Sequence, residues 1–365
     1  MPVRVESRLK RFLELCRASG FEGAVIVPGP NMRYLIDFTL EVFERPAFLL
    51  IGFDREPAMV VPKLDRDRVE EAIGRYCEVL SYGDETGPWG LVERLFSGLS
   101  GVVGVERRLP VGLYRALAQR APGLRFEEVD RVVVGMRVRK DPDEVVRHAM
   151  AARVLEEAML QTMAELKHGT TERDAMSKFH RLCHDLGAES AYCLIQSGPN
   201  SANPHLEPTS RTIREGDVVV FDASVCYRGY YADFTRTLVV GNPGPEQERV
   251  FNVVLESQQR ALDAVATGIP AEEVDRAARS VIAREGFASF FIHRTGHGLG
   301  VEVHEAPDIV EGNRSPLEPG MIFTIEPGIY LPGKFGVRLE DDVVLGSSGY
   351  ENTTRLPKAL SSVSL

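Results

Sequence analysis

The stretch that most limits how this chain can fold runs from Phe221 to Thr237, FDASVCYRGYYADFTRT. Val218-Val219-Val220-Phe221 is a continuous apolar run, Tyr227-Arg228-Gly229-Tyr230 supplies turn residues, and Phe234 to Val240 returns as β-branched and aromatic sequence. Together they spell a β-hairpin. Strands this apolar are buried, yet each carries an aspartate, Asp222 and Asp233, with ten residues between them, at corresponding ends of the hairpin. Burying a carboxylate costs several kcal/mol unless a donor or cation compensates it, and two buried neighbours also repel. Taken alone, the pair reads as caps at a solvated hairpin end; the rest of the chain favours a positive charge between them.

Downstream the chain offers His297 in Gly296-His297-Gly298, Glu326 after Met321-Ile322-Phe323-Thr324-Ile325, and Glu340 in Val337-Arg338-Leu339-Glu340-Asp341. Four carboxylates and one imidazole form a hard-oxygen set with a single nitrogen, suited to two divalent metal ions bridged by carboxylates. Such a donor set makes manganese or cobalt the working expectation, with zinc or iron compatible.

Spacing adds an internal repeat. Gly169 to Gly187 and Gly268 to Gly286 are both 18 positions apart and bracket a helix. Gly216 precedes Asp222 by six residues and Gly320 precedes Glu326 by six, across the similar runs Glu-Gly-Asp-Val-Val-Val-Phe-Asp and Pro-Gly-Met-Ile-Phe-Thr-Ile-Glu. Two such halves packed about a pseudo-twofold axis place Asp222 and Glu326 equivalently, as a two-ion site between halves requires.

A length of 365 residues implies two domains. Residues 1–133 read as a smaller α/β unit. A helix is expected over Ser7 to Ser19, ended by Gly20, then strands at Ala24–Val27, Phe48–Ile51 and Ala58–Val61. Helices near Asp65–Tyr76 and Trp89–Ser97 and a strand near Val102–Val105 follow. No catalytic cluster is visible there, so the unit reads as accessory or oligomerising. The boundary falls in Met136 to Pro142, and Asp141 with Pro142 opens a long helix reaching about Leu166, stopped by His168-Gly169. A second helix spans Thr171 to Leu186.

A net charge of −10 leaves no surplus of cations for phosphates, which argues against nucleic acid as a partner. No apolar run reaches the roughly 18 residues of a membrane span, and the N-terminus lacks the apolar core of a signal peptide, so a cytoplasmic location is expected. The five cysteines are scattered and mostly in apolar segments, which reads as a reduced, buried set.

The segment from about Arg137 to Leu356 resembles the catalytic domain of the pita-bread metallopeptidases, the family of methionine aminopeptidase, aminopeptidase P and prolidase. Asp222, Asp233, Gly296-His297-Gly298-Leu299-Gly300, Val303-His304-Glu305-Ala306-Pro307, Glu326-Pro327-Gly328-Ile329-Tyr330 and Gly336-Val337-Arg338-Leu339-Glu340-Asp341 carry the likeness. The preceding unit is similar to the N-terminal domain of prolidase, aminopeptidase P and creatinase. The resemblance implies an α+β fold, with a C-terminal pita-bread domain over 134–365 behind the N-terminal α/β domain.

It further implies that Asp233 and Glu340 bridge two ions, that Asp222 completes one, and that His297 with Glu326 completes the other. Ions about 3.5–4 Å apart would activate a shared water and polarise a peptide carbonyl. Glu326 is the first candidate for general base, with Glu340 or Asp222 open on physical grounds. Thr235, Thr237 and Thr324 are candidate donors to the carboxylates, although threonine is also an ordinary strand former.

By the same likeness His205 and His304 contact substrate and stabilise developing charge, and His293 lies in the pocket. Arg338, two residues before Glu340 and so on the same strand face, is either an ion-pair partner of the carboxylates or a substrate clamp. His148, His168, His180 and His184 receive no function. The expected activity is hydrolysis of the bond before proline, on a proline-containing dipeptide as in prolidase or a short peptide as in aminopeptidase P, by a homodimer. Two alternatives are a metal-independent creatinase-like amidino hydrolase and a non-catalytic binding module; the complete ligand set disfavours both.

Overall fold

The computed structural model describes residues 2–166, 169–360 and 362–363. Two compact units emerge, Met1–Arg137 and Val138–Leu365. The first is built on a six-stranded mixed sheet. Gly23–Ile26 pairs in parallel with Gly101–Val105 on one side and antiparallel with Phe48–Gly52 on the other. Apolar residues such as Val25, Phe48, Val60 and Val103 meet under the helices, because strands covered on both faces need side chains that want no water on either. The opening helix, Pro2–Ala18, closes at Gly20 with φ 84°, where Phe21 N–H reaches back to the Cys16 carbonyl at 3.0 Å.

The helix expected over 65–76 is shorter. A 3₁₀ turn, Lys63–Asp65, precedes the α-helix Arg66–Ile73, and Gly74 ends it. The chain also forms helices at Pro30–Ile36, Val111–Arg120 and Asp130–Arg137 that composition alone did not announce.

In the second unit, Asp141 accepts from Glu144 N–H at 2.9 Å and Glu144 returns a bond to Asp141 N–H at 2.9 Å, a reciprocal cap that starts Pro142–Ala164. Thr171 caps Glu172–Asp185 likewise. A four-stranded sheet follows, with Ser190–Ser197, Val218–Tyr227 and Tyr230–Val240 antiparallel in sequence order and Ser362–Val363 at the far edge. The second half repeats this plan: helices Pro245–Ala264 and Ala271–Arg284, then a five-stranded sheet in which Ile322–Ile325 pairs antiparallel with Asp341–Leu345.

The repeat is written in backbone conformation as well as spacing. Gly169 and Gly268 have φ of 88° and 87°, Gly187 and Gly286 of 84° and 86°, and Gly216 and Gly320 of 82° and 90°. L side chains are strained in that region, so glycine at each matched position lets both halves turn alike. This pseudo-twofold pita-bread arrangement behind an α/β unit is the expected α+β fold. Among the described residues no helix is long and apolar enough to cross a membrane. All five cysteines are buried.

Candidate metal centre

Arg228 and Gly229 both take positive φ, 51° and 78°, giving the two-residue turn whose twist suits an antiparallel hairpin. In its register Asp222 lies opposite Thr235 and Asp233 opposite Ser224. Both aspartates therefore stand mid-strand as diagonal neighbours on one face, not at the hairpin's ends; the strands simply run on past them to the turn. Phe221, Ala223 and Phe234 point the other way into the core. On the neighbouring strand Leu194 lies opposite Asp222 and Tyr192 opposite Ser224, which extends the same face.

The second half brings His297 in on the short strand Gly296–Gly298. A Cβ at Gly296 would fall 1.9 Å from the Thr324 carbonyl oxygen, and one at Gly298 2.1 Å from that of Ala306, so glycine on either side is what lets the histidine backbone approach. Glu326 directly follows Ile322–Ile325, and Glu340 directly precedes Asp341–Leu345. The strand Phe335–Arg338 ends before Glu340, so Arg338 and Glu340 do not share a face by strand alternation as expected. Thr235 joins them instead: its Oγ1 donates to Glu340 Oε2 at 2.7 Å and accepts from Arg338 Nε at 3.2 Å.

These elements bring Asp222, Asp233, His297, Glu326 and Glu340 together in the lining of a cavity of about 460 Å³, whose walls also carry His205, His293, His304 and Arg338. Ligand atoms of Asp222, Asp233 and Glu340 lie within 4.8 Å of one another, and so do those of His297, Glu326 and Glu340, and of Asp233, His297 and His304. His297 Nδ1 sits 3.1 Å from the Gly298 carbonyl, which can only accept, so Nδ1 holds the ring proton and Nε2 offers a lone pair. That lone pair faces Glu326 Oε1 at 3.3 Å and Asp233 Oδ2 at 3.8 Å.

Lone pairs converging on lone pairs call for a cation. Burial, then the charges of Asp222, Asp342 and Glu326, push Asp233 well above the usual carboxylate range. Burial, then Asp233 and Glu326, do the same to Glu340. Burial raises Glu326 to about 7 against the opposing pull of Arg338. His297 is driven down to about 3 by burial and then by His304, which keeps it neutral, the form that ligates metal. The donor set thus fits divalent ions by chemistry and by the electrostatic strain they would relieve.

Arg338, buried, pairs with the Asp222 carboxylate and donates to Tyr330 Oη at 2.7 Å. Of the two roles left open for it, the ion-pair role is what the geometry displays, on a side chain that also lines the cavity. Tyr330 Oη in turn lies 2.9 Å from His293 Nε2, while His293 Nδ1 lies 2.7 Å from the Arg294 carbonyl. Both His293 nitrogens are therefore engaged. Burial and then Arg338 hold His293 neutral, down to about 4. His205 and His304 are exposed on the cavity wall.

Thr324 Oγ1 donates to Glu326 Oε1 at 3.1 Å and accepts from His297 N–H at 3.1 Å, whereas the Thr237 hydroxyl bonds the Arg338 backbone. His148, given no role, lies fully buried below the cluster, 3.8 Å from Asp342, which accepts from Asp233 N–H at 3.0 Å. His184 is exposed, His180 lies 4.0 Å from Cys193 Sγ, and His168 falls outside the described residues. Sequence reasoning gave Tyr330 no role of its own and passed over Asp342. The signal for Asp342 was three successive acids, Glu340-Asp341-Asp342, running into Val343-Val344-Leu345.

Comparison with known proteins identifies the family. Residues 146–347 match the profile of metallopeptidase family M24, and residues 8–139 that of the creatinase/prolidase N-terminal domain. The chain is 35% identical over 346 residues to the probable dipeptidase PepE of Mycobacterium tuberculosis, covering 94% of this chain and 92% of that protein. It is 31% identical over 360 residues to the Xaa-Pro dipeptidase of Pyrococcus horikoshii, covering 98% and 99%. The solved structure of recombinant prolidase from Thermococcus sibiricus superposes with a TM-score of 0.93 at 36% identity, covering 98% of this chain and 99% of that one.

Proposed function

This chain belongs to metallopeptidase family M24, and within it we propose an Xaa-Pro dipeptidase of prolidase type that works with two divalent cations, manganese or cobalt first. The chain is a metal-dependent peptidase; the finer reading is carried by one observation, that five ligand-type side chains and four substrate-facing ones converge on one cavity. The names of full-length relatives, Xaa-Pro dipeptidase and prolidase, support the substrate class.

In this reading Asp233 and Glu340 would serve both ions, Asp222 would complete one site, and His297 with Glu326 the other. Ions bound there would supply Lewis acidity to the scissile carbonyl and activate water. The protein's own groups do the rest. Glu326 takes a proton during attack and returns it. His304, whose proton affinity is lowered by partial desolvation at the cavity wall and then by Arg294, and His205 stand where they can donate to the developing oxyanion or the proline nitrogen. Proline brings no amide hydrogen to the scissile bond, so no backbone acceptor is needed there. Arg338 holds Asp222 and offers its charge to a substrate carboxylate.

The test is to strip divalent cations, restore manganese or cobalt singly, and compare proline release from Ala-Pro with cleavage of Ala-Pro-Ala. Metal-restored activity on the dipeptide alone is expected. Equal cleavage of the tripeptide sinks the dipeptidase assignment.

A further inference from the structure

His205 presents a physical problem. It lies on an exposed turn outside regular strand or helix, yet a group that contacts a reacting bond has to be held within a fraction of an ångström. Within the turn Asn203–Leu206, Leu206 N–H bonds the Asn203 carbonyl at 3.1 Å and His205 N–H makes a long contact, 3.4 Å, with Asn203 Oδ1. Something else must fix it.

Gln196 does. It stands on the strand Ser190–Ser197 opposite Val220, on the face that carries Leu194 and, across from it, Asp222. Its side chain is fully buried, and its Nε2 donates to the Asn203 carbonyl at 2.8 Å and to the Leu206 carbonyl at 2.9 Å. These are the first and last residues of the turn, so one amide grips the backbone on both sides of His205. The orientation is forced, because turning the amide over would set its oxygen against two carbonyls. The remaining atom, Gln196 Oε1, is buried without a partner among the described residues, a cost that an apolar side chain filling the same space would not carry. Beyond the turn, buried Glu172 takes Thr209 N–H at 2.9 Å and Oγ1 at 2.6 Å, anchoring the outgoing limb to the same sheet edge through Ser197 N–H at 2.7 Å.

We infer that Gln196 is a positioning residue for the peptidase reaction, acting through His205 by clamping the Asn203–Leu206 turn to the strand that faces the carboxylate cluster. This rests on the assignment of His205 to substrate chemistry made above. Gln196 itself touches neither the ligand set nor the reacting bond.

A double-mutant cycle tests it on the metal-loaded protein, with Gln196→Leu, His205→Ala and the pair, using Ala-Pro. Gln196→Leu lowers kcat/KM by about 10- to 100-fold, the scale of a misplaced catalytic contact. In the His205→Ala background the same change costs no more than about twofold. Manganese affinity by calorimetry is unchanged, while amide exchange at His205 and Leu206 speeds at least about tenfold and that at Phe221 and Ala223 does not. Gln196→Asn, which keeps the amide but falls a methylene short, gives an intermediate loss and serves if the leucine variant does not fold. An equal loss with and without His205, or unchanged exchange at the turn, overturns the inference. Full activity in His205→Ala overturns it too, by removing the assignment it rests on; the exchange data then still report whether the clamp exists.

Discussion

Two buried carboxylate environments in this chain solve the same problem in opposite ways. In the first unit Glu106 lies just past the parallel strand Gly101–Val105, buried, and accepts from Val27 N–H and from Asn31 Nδ2 at 2.7 Å. Arg137 donates to Asn31 Oδ1 at 2.6 Å and so steadies the donor rather than the acid. One acid, neutral donors and no rival carboxylate in contact make a closed account. In the second unit four acids share a cavity with Arg338. Burial raises the affinity for protons in both places, taking Glu106 to about 7, but there the donated hydrogen bonds outweigh a minor repulsion from Asp130, whereas in the second repulsion among the acids comes directly after burial. Burial of acids is thus not by itself the mark of a metal site; convergence without enough donors is.

The contrast breaks most visibly under substitution. Asp233→Asn is expected to lower kcat/KM on Ala-Pro by about a thousandfold or more, roughly 4 kcal/mol, whereas Glu106→Gln leaves it within about threefold. Steady-state kinetics on both variants decides, and a comparable loss in both erases the distinction.

Stability against pH sharpens it next. Glu106 binds its proton more tightly folded than unfolded, so its contribution is present below the ordinary value of about 4.5 and is lost as pH rises through about 7. The span is on the order of 3 kcal/mol. Urea unfolding of Glu106→Gln between pH 4 and 8 should show that much less decline than the parent, and parallel curves refute it.

Cation titration probes the other environment. Manganese at about a hundredfold its Kd should stabilise the stripped protein by about 2.7 kcal/mol, and Asp233→Asn should abolish most of that gain. Thermal melts at increasing manganese measure it. The smallest effect expected is that of Thr235→Val, which removes a hydroxyl from Glu340 and Arg338 and should weaken manganese binding about tenfold, near 1.4 kcal/mol. Calorimetry yielding the parent affinity would make Thr235 a mere strand former.

Much of this was legible in the residues. Apolar runs located the hairpin, glycine spacing exposed the repeat, and the order of acids and histidine gave the cluster. What could not be read was anything set by register or by the meeting of distant segments. The aspartates looked terminal because strand length beyond them was invisible. Glu340 looked like a strand residue because nothing local marks the two-residue joint in which it sits. His148 and Gln196 carry no motif; their importance lies wholly in what the fold lays against them. Short helices such as Pro30–Ile36 have too few turns for periodicity to declare them.

One asymmetry between the halves has a consequence for substitution. Asp222 and Asp233 are mounted in mid-strand, while Glu326 and Glu340 hang from residues just outside theirs. The longer pair makes up in side-chain reach what its backbone gives away in distance. Aspartate and glutamate, equal in charge, are therefore unequal tools here, and exchanging one for the other would preserve the electrostatics while shifting the carboxylates out of common focus.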